Sequence, residues 1–492
     1  MVHNIRKSSL SMADGLFEDL DGIEGPRDVQ VREETTLEKL LKIERNLQSE
    51  IRTKWSPHFN SQNYTYRCDN GSKCYCDIYR RIEQELKGID ITEDELKGFI
   101  ITNSNIEREL FESIILGMYT GSLLQLFTER NRRQGKRTRF YINGDGSYFP
   151  FLFYCAKDID DVFVDDFKGE GICSLVGSFG GKANNVIVRG EGNHLTSYVG
   201  SVKGRVKNVI LLDAKGKDIA TGIGVFNGDV DNVILLNCMA LRDMAEACGV
   251  SGRVGNLIII NSNSPHITLS IGNSWGRVDN FLSVNGCVSQ YASQYACEDS
   301  ITHSNGYVGN AIFINLKKNT TSYFPHDIYA SHGGILRNLI TVSYDEDKLP
   351  QILAPTVMPD KIIIREDCRV FELTPQKYKT ELYKTELMGD AAFQKYKRIL
   401  QKNGLGEITE LALAMENKTP EDVKTPEEVF SFADEISECY SKHNSLLRPD
   451  NMYFLTSRIK QVSWIVSESI RHAYEVNYRR LQRVIKKVIH AI

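Results

Sequence analysis

One phrase returns along the middle of this chain, and it restricts the possible folds more than any other feature. Gly204-Arg-Val-Lys-Asn208-Val-Ile-Leu-Leu-Asp213 reappears in altered form beginning at Gly228, Gly252 and Gly276. Weaker copies lie at 181–188, 306–315 and 334–343, and degenerate ones begin at Asp161 and Lys361. From glycine to glycine the spacings are 23, 24, 24, 24, 30 and 28 residues, so the chain carries an internal repeat of about 24. Each copy has one apolar run of four or five residues, rich in β-branched types and too short for a helix, and then a stretch of Gly, Ser and Asn. That is one strand per repeat plus turns. Helical solenoids need two amphipathic helices per repeat, and a leucine-rich horseshoe needs a leucine and asparagine spacing that is missing here. A hexapeptide helix fails because Val206 and Leu212 are followed, six residues apart, by Asp218 and Gly224. A parallel β-helix remains, with equivalent positions of successive coils piled above one another.

Piling explains the asparagines. Asn185, Asn208, Asn232, Asn256, Asn280, Asn310 and Asn338 share one position, and Asp213, Asn237, Asn261, Asn285 and Asn315 share another. Amides in register hydrogen-bond along a stack, so both columns are expected to be structural ladders at the corners. The repeated glycines are expected at backbone conformations that a Cβ would penalise.

The period and ladders, over about 139–367, resemble the right-handed β-helix superfamily that includes pectate lyases and polygalacturonases. The resemblance implies three short parallel sheets wound as a prism, here in about nine coils. It does not extend to the enzymology of that superfamily. An acidic calcium cluster with a partnering Arg is lacking, as is a paired-aspartate strand followed by a Gly-His-Gly turn. Asp160-Asp161 and Asp165-Asp166 read instead as solubilisers of an exposed edge.

The strand phrases are apolar on both faces. Val209, Leu211, Val233, Leu235, Leu257 and Ile259 fill one side, while Ile210, Leu212, Ile234, Leu236, Ile258, Ile260, Ile312 and Ile314 lie on the other. One side is the lumen; the other needs a cover. The apparent supplier is the last segment, 456–492, which lacks Pro and Gly, carries an apolar seam at Ile459, Val462, Val466, Ile470, Leu481, Val484 and Val488, and reaches roughly 55 Å. The same seam offers an alternative, self-association through a coiled coil.

Four parts follow: a segment 1–34 with few large apolar groups, a helical region 35–135, the β-helix 136–368 and a helical region 369–492. Capping boxes at Thr92-x-x-Glu95, Ser104-x-x-Glu107 and Thr425-Pro-Glu-Glu428 predict helix starts. The chain has 492 residues with 25% charged and net charge −4; no apolar run reads as membrane-spanning, and no membrane insertion is expected. Eleven scattered cysteines with no apolar N-terminal signal core point to reduced thiols and a cytoplasmic setting.

Chemistry-bearing groups cluster in a few places. The two longer repeats carry Glu298, Asp299, His303, His326, Asp327 and His332, carboxylates and imidazoles that neighbouring coils would bring together as a general acid and base or as metal ligands. His58, Cys68, Cys74 and Cys76 have zinc-ligand chemistry without a standard spacing, so no cofactor is expected beyond a possible zinc. Arg130, Arg132, Arg133, Lys136, Arg137 and Arg139 form one basic run, and Arg479, Arg480, Arg483, Lys486 and Lys487 another, either of which suits RNA or ribosomal phosphates. The leading expectation is a non-enzymatic binding scaffold with a protein partner or a second copy of itself. A carbohydrate-active enzyme working through 291–332 and an RNA-associated factor are the competitors.

Overall fold

The computed structural model describes residues 34–55, 68–244, 251–264, 276–284, 287–288, 300–302, 307–314, 329–330, 335–343, 361–366, 369–373, 407–408, 411, 414 and 425–444. Four helices come first: α1 (Thr36–Trp55), α2 (Cys68–Glu85), α3 (Glu93–Asn103) and α4 (Leu110–Arg133). Thr92 caps α3 as expected, with Thr92 Oγ1 accepting from the Glu95 amide at 3.2 Å and the Glu95 carboxylate accepting from the Thr92 amide at 2.7 Å. The second expected capping box does not form. Ser104 closes α3 instead, its hydroxyl donating to the Ile100 carbonyl, and α4 starts six residues later at Leu110 without a side-chain cap.

By length and composition α4 would pass for a membrane span, contrary to the reading that no run is long and apolar enough; 78% of that window is buried inside the protein. Its burial has a local cause. An added Cβ on Gly117 would lie 2.2 Å from the Phe151 carbonyl oxygen, and one on Gly121 would lie 2.7 Å from that of Tyr154. Both glycines let the helix backbone press against the first coil, where Thr120 Oγ1 accepts from the Phe153 amide at 3.2 Å. The lumen and the four helices thus share one apolar core, and α4 stops the open end of the coil stack.

Beyond α4 the chain is a parallel β-solenoid of about five turns, with single strands extending its main stack. The strands are β1 (Arg139–Asn143), β2 (Asp161–Lys168), β3 (Lys182–Glu191), β4 (Arg205–Leu212), β5 (Lys215–Ile219), β6 (Asp229–Leu236), β7 (Met239–Met244), β8 (Arg253–Ile260), β9 (Asn263–Ser264), β10 (Arg277–Val284) and β11 (Cys287–Val288). After them come β12 (Ser300–Thr302), β13 (Tyr307–Ile314), β14 (Tyr329–Ala330), β15 (Ile335–Ser343), β16 (Lys361–Glu366) and β17 (Arg369–Leu373). The principal stack runs β1-β2-β3-β4-β6-β8-β10-β13-β15-β16 with parallel pairing, and β5, β7, β9 and β11 continue a second one from the end of β3. β17 returns antiparallel on β16 and covers that strand's outer edge.

Register is kept by the first asparagine column. Asn208 Nδ2 donates to Asn185 Oδ1 at 2.7 Å, Asn232 to Asn208 at 2.9 Å, Asn256 to Asn232 at 2.8 Å, Asn280 to Asn256 at 2.8 Å and Asn310 to Asn280 at 2.7 Å. Every amide points the same way. At the head of the column Asn185 donates to the Asp161 carboxylate at 2.7 Å. The longer repeat does not break the register, since Asn280 still faces Asn310.

The second column sits at left-handed corners: Asp213, Asn237 and Asn261 take φ values of 49°, 53° and 48°, conformations that Asn and Asp tolerate. Their amides donate to Leu236, Ile260 and Val284 carbonyls of the next coil at 2.9, 3.0 and 2.9 Å. The repeated glycines serve close approach, because a Cβ on Gly204, Gly228 or Gly252 would lie 2.1, 2.0 or 1.7 Å from a carbonyl oxygen of the coil before. Asp160, Asp161 and Asp165 are buried and paired with cations rather than lying at a solvated edge.

Candidate functional site

The second apolar face is covered, though the cover visible among the described residues is not the segment 456–492, which lies outside them. It is α5 (Pro426–Asn444) with Ile408. Val429, Phe432, Ala433, Ile436 and Cys439 recur at helical spacing and face Ile187, Ile210, Leu212, Ile234, Leu236, Ile258 and Ile260. Phe430 meets Phe163 edge to face with centroids 6.4 Å apart.

Polar contacts fix where this lid sits. Asp434 accepts from Arg137 and Arg139 at 2.7 Å each, and from Asn185 Nδ2 at 3.2 Å. Partial burial works against the Asp434 anion, yet the Arg137 hydrogen bond and charge hold its carboxyl below the usual range. Burial pushes Asp161 the other way, with Arg137 opposing. One turn on, Asn208 Nδ2 gives one hydrogen to Asn185 and shares the other between the Ala433 carbonyl and Ser437 Oγ, both at 2.7 Å. The ladder therefore binds the lid as well as the coils.

Farther along, Arg253 gathers Asp229 at 2.9 Å, Asp279 at 2.8 Å and the Tyr440 hydroxyl at 2.5 Å. Tyr440 fits because the coil position beneath it is Gly255, where a Cβ would come within 2.3 Å of the hydroxyl. Burial, reinforced by the neighbouring Asp229 charge, pushes the Asp231 carboxyl up to about 6 despite Arg253 at 3.9 Å. Each acid and base here has a partner inside the protein, which is the arrangement of a latch between lid and solenoid.

The basic run expected to meet phosphate is largely engaged within the protein. Arg130 donates to the carbonyls of Leu86 and Ile89, Arg132 pairs with Asp160 at 2.7 Å, and Arg137 bridges Asp161 and Asp434. Arg133 reaches Glu129 only at 4.0 Å, and Lys136 is exposed. Arg479, Arg480, Arg483, Lys486 and Lys487 lie outside the described residues. So do Glu298, Asp299, His303, His326, Asp327 and His332. The strands between them are described, and β12 pairs with β14 through Ser300–Tyr329 and Thr302–Ala330, which sets the two long repeats side by side as expected.

The three cysteines of the expected zinc set lie on one helix. Cys68 opens α2, and Cys74 and Cys76 lie two residues apart on that helix, hence on nearly opposite sides of it. Burial pushes the Cys74 thiol up to about 12, and Lys157 Nζ lies 3.4 Å from Cys76 Sγ. His58 lies outside the described residues. Among the described residues, Cys74 and Cys76 are not gathered with a third metal-ligating group.

A different cluster was overlooked in the sequence. Cys439 and His443 stand four apart on α5 and face Glu407; their ligand atoms and its carboxylate lie within 4.8 Å of one another. His443 Nε2 is 3.3 Å from Glu407 Oε2. Burial, followed by the Glu407 charge, pushes the Cys439 thiol up to about 11. The His443 hydrogen bond holds Glu407 below its usual range. This is a poor nucleophile site, since a carboxylate rather than an imidazole abuts the thiol and opposes its ionisation. The signal that could have found half of it is the Cys-x-x-x-His spacing on a helix.

The flank away from the lid carries exposed strand side chains on β5 and β7: Lys215, Lys217, Met239 and Leu241, the last 71% exposed. Comparison of the chain with family models, with curated proteins and with solved structures returned no match.

Proposed function

We propose that this protein is a non-enzymatic β-helix scaffold that holds a protein partner on the uncovered β5–β7 flank. The observation carrying this reading is the exposure of Met239 and Leu241, in contrast to the lid-facing side chains from Phe163 to Val284, which are buried. Two large apolar side chains flanked by Lys215 and Lys217 give a small hydrophobic centre with a charged rim, the pattern of a protein interface. The column of amides that keeps the coils in register suits a protein that must hold its shape. The repeated polar groups support this rather than catalysis, because the ladder and the Arg253 and Asp434 clusters use them internally. The pairings of β13, β15 and β16 support a right-handed helix of about nine coils, with the helical ends packed on it.

A carbohydrate-active enzyme remains the second reading, favoured by the pairing of β12 with β14 beside the acid and histidine positions. The test is purification of the full chain from cells that produce it, as wild type and as a Met239→Asp/Leu241→Asp variant. A stoichiometric protein bound to the wild type and lost from the folded variant is expected. Equal behaviour of the two, or polysaccharide cleavage that disappears in Asp299→Asn, overturns the scaffold reading.

A further inference from the structure

We propose that Glu407, Cys439 and His443 form a zinc site that fastens the chain around residue 407 to the lid helix. The site supplies one sulfur, one imidazole nitrogen and one carboxylate oxygen, the donor set that zinc takes among protein ligands. Its spacing fits the ion. Nitrogen and oxygen ligands at zinc distances and tetrahedral angles stand about 3.3 Å apart, and His443 Nε2 and Glu407 Oε2 are 3.3 Å apart. A sulfur ligand completes such a site at about 3.6 Å from either, inside the 4.8 Å span of the three atoms.

Local structure sets these groups up. Four residues along a helix return to the same face, so Cys439 and His443 point together without any loop having to arrange them. Cys439 is buried at the edge of the lid core, and Ile408, the neighbour of Glu407, is completely buried in that same core. The third ligand is therefore held by packing of the adjacent residue. Glu407 itself is exposed, leaving a direction from which the ion enters and where water completes the fourth position.

Charge balance suits the ion. A thiolate and a carboxylate cancel the two charges of zinc, with the Cys439 proton released to solvent on binding. Lys442, now 3.6 Å from Glu407 and with its side chain 65% exposed, has room to swing away. The bound ion joins the 407 segment and α5, hence tightening the cover over Ile187 to Ile260. The site stands apart from the β5–β7 flank and does not depend on the scaffold reading.

The test uses the full chain, stripped with chelator and titrated with zinc or with cobalt as a spectroscopic probe. The expected result is one zinc retained per chain after dialysis, and with cobalt the visible bands of a tetrahedral ion plus a near-ultraviolet thiolate charge-transfer band. Cys439→Ser removes the charge-transfer band and the retained zinc, and His443→Ala removes the retained zinc, whereas Cys74→Ser/Cys76→Ser keeps both. Should the lid variants fail to fold, labelling of wild-type Cys439 by a thiol reagent is the second measure, slowed by zinc and restored by chelator. A wild type that retains no zinc, or zinc that stays in folded Cys439→Ser, overturns the site.

Discussion

Replacing Asn232 by aspartate changes one atom in the middle of the amide column and isolates what that column does. Asn232 is fully buried, donates to Asn208 Oδ1 at 2.9 Å and accepts from Asn256 Nδ2 at 2.8 Å. A protonated aspartate can do both, but an ionised one only accepts, so a carboxylate oxygen then faces the Asn208 oxygen at the same 2.9 Å. Burial and this repulsion raise the folded-state pKa above the unfolded value of about 3.9. The sign follows: the fold binds the proton more tightly than the unfolded chain does, so the variant matches wild type at pH 4 and loses stability as pH rises. A rise of about two to three units corresponds to about 3–4 kcal/mol at neutral pH. Asn232→Ala, which orphans the Asn256 donor and the Asn208 acceptor at about 1–3 kcal/mol each, is expected to lose about 2–6 kcal/mol at every pH. Because coils in such stacks open separately, amide hydrogen exchange over 205–236 is the readout, alongside urea unfolding at pH 4 and 7. An aspartate variant as protected as wild type at pH 7 would refute the reasoning.

Two further outcomes are open to measurement. Gly117→Ala places a methyl 2.2 Å from the Phe151 carbonyl oxygen, so α4 must lift off the first coil; a loss of at least about 3 kcal/mol in thermal or urea unfolding is expected, and a neutral effect would show that the cap is loosely seated. Asp231, with its folded pKa pushed up to about 6, favours the folded state when protonated and costs stability as pH rises from about 4 to 6. Asp231→Asn should therefore gain on wild type by about 1 kcal/mol at pH 7, a figure reduced because the side chain keeps 34% of its surface, and the gain should vanish near pH 4.

What the sequence disclosed was whatever repeats. The strand per repeat, the Asn208–Asn232–Asn256 column and the two apolar faces are written as periodic patterns, and periodicity survives without knowing the partner. The lid was legible only as a need. Ile210 and Ile234 demand a cover, but nothing in them tells a helix at 426–444 from one at 456–492, and the longer seam drew the choice. Asn237 and Asn261 left more unsaid: asparagine suits both a stacked amide and a left-handed corner, and the repeat alone does not disclose the backbone conformation that these positions adopt. The aspartates at 160–165 looked solvated because their cations, Arg132, Arg137 and Arg189, belong to other elements. Glu407 stands thirty-two residues from Cys439 in a stretch without a repeat, so no local pattern joins them.

The amide column also has unlike ends, and this gives the solenoid a polarity. Its first register position is Asp161, whose carboxylate can only take hydrogen bonds, and its last, opposite Asn338, is Lys361, a residue type that can only give them. A chain of amides all aimed toward the amino-terminal cap needs an acceptor at the head and a donor at the tail. Shortened forms should not be equivalent: cutting coils from the carboxyl end leaves a spare carbonyl lone pair, the cheaper fault, whereas cutting from the amino end strands a buried N–H. Assembly that proceeds from the first-made coil onward always has a terminus ready to receive the next amide.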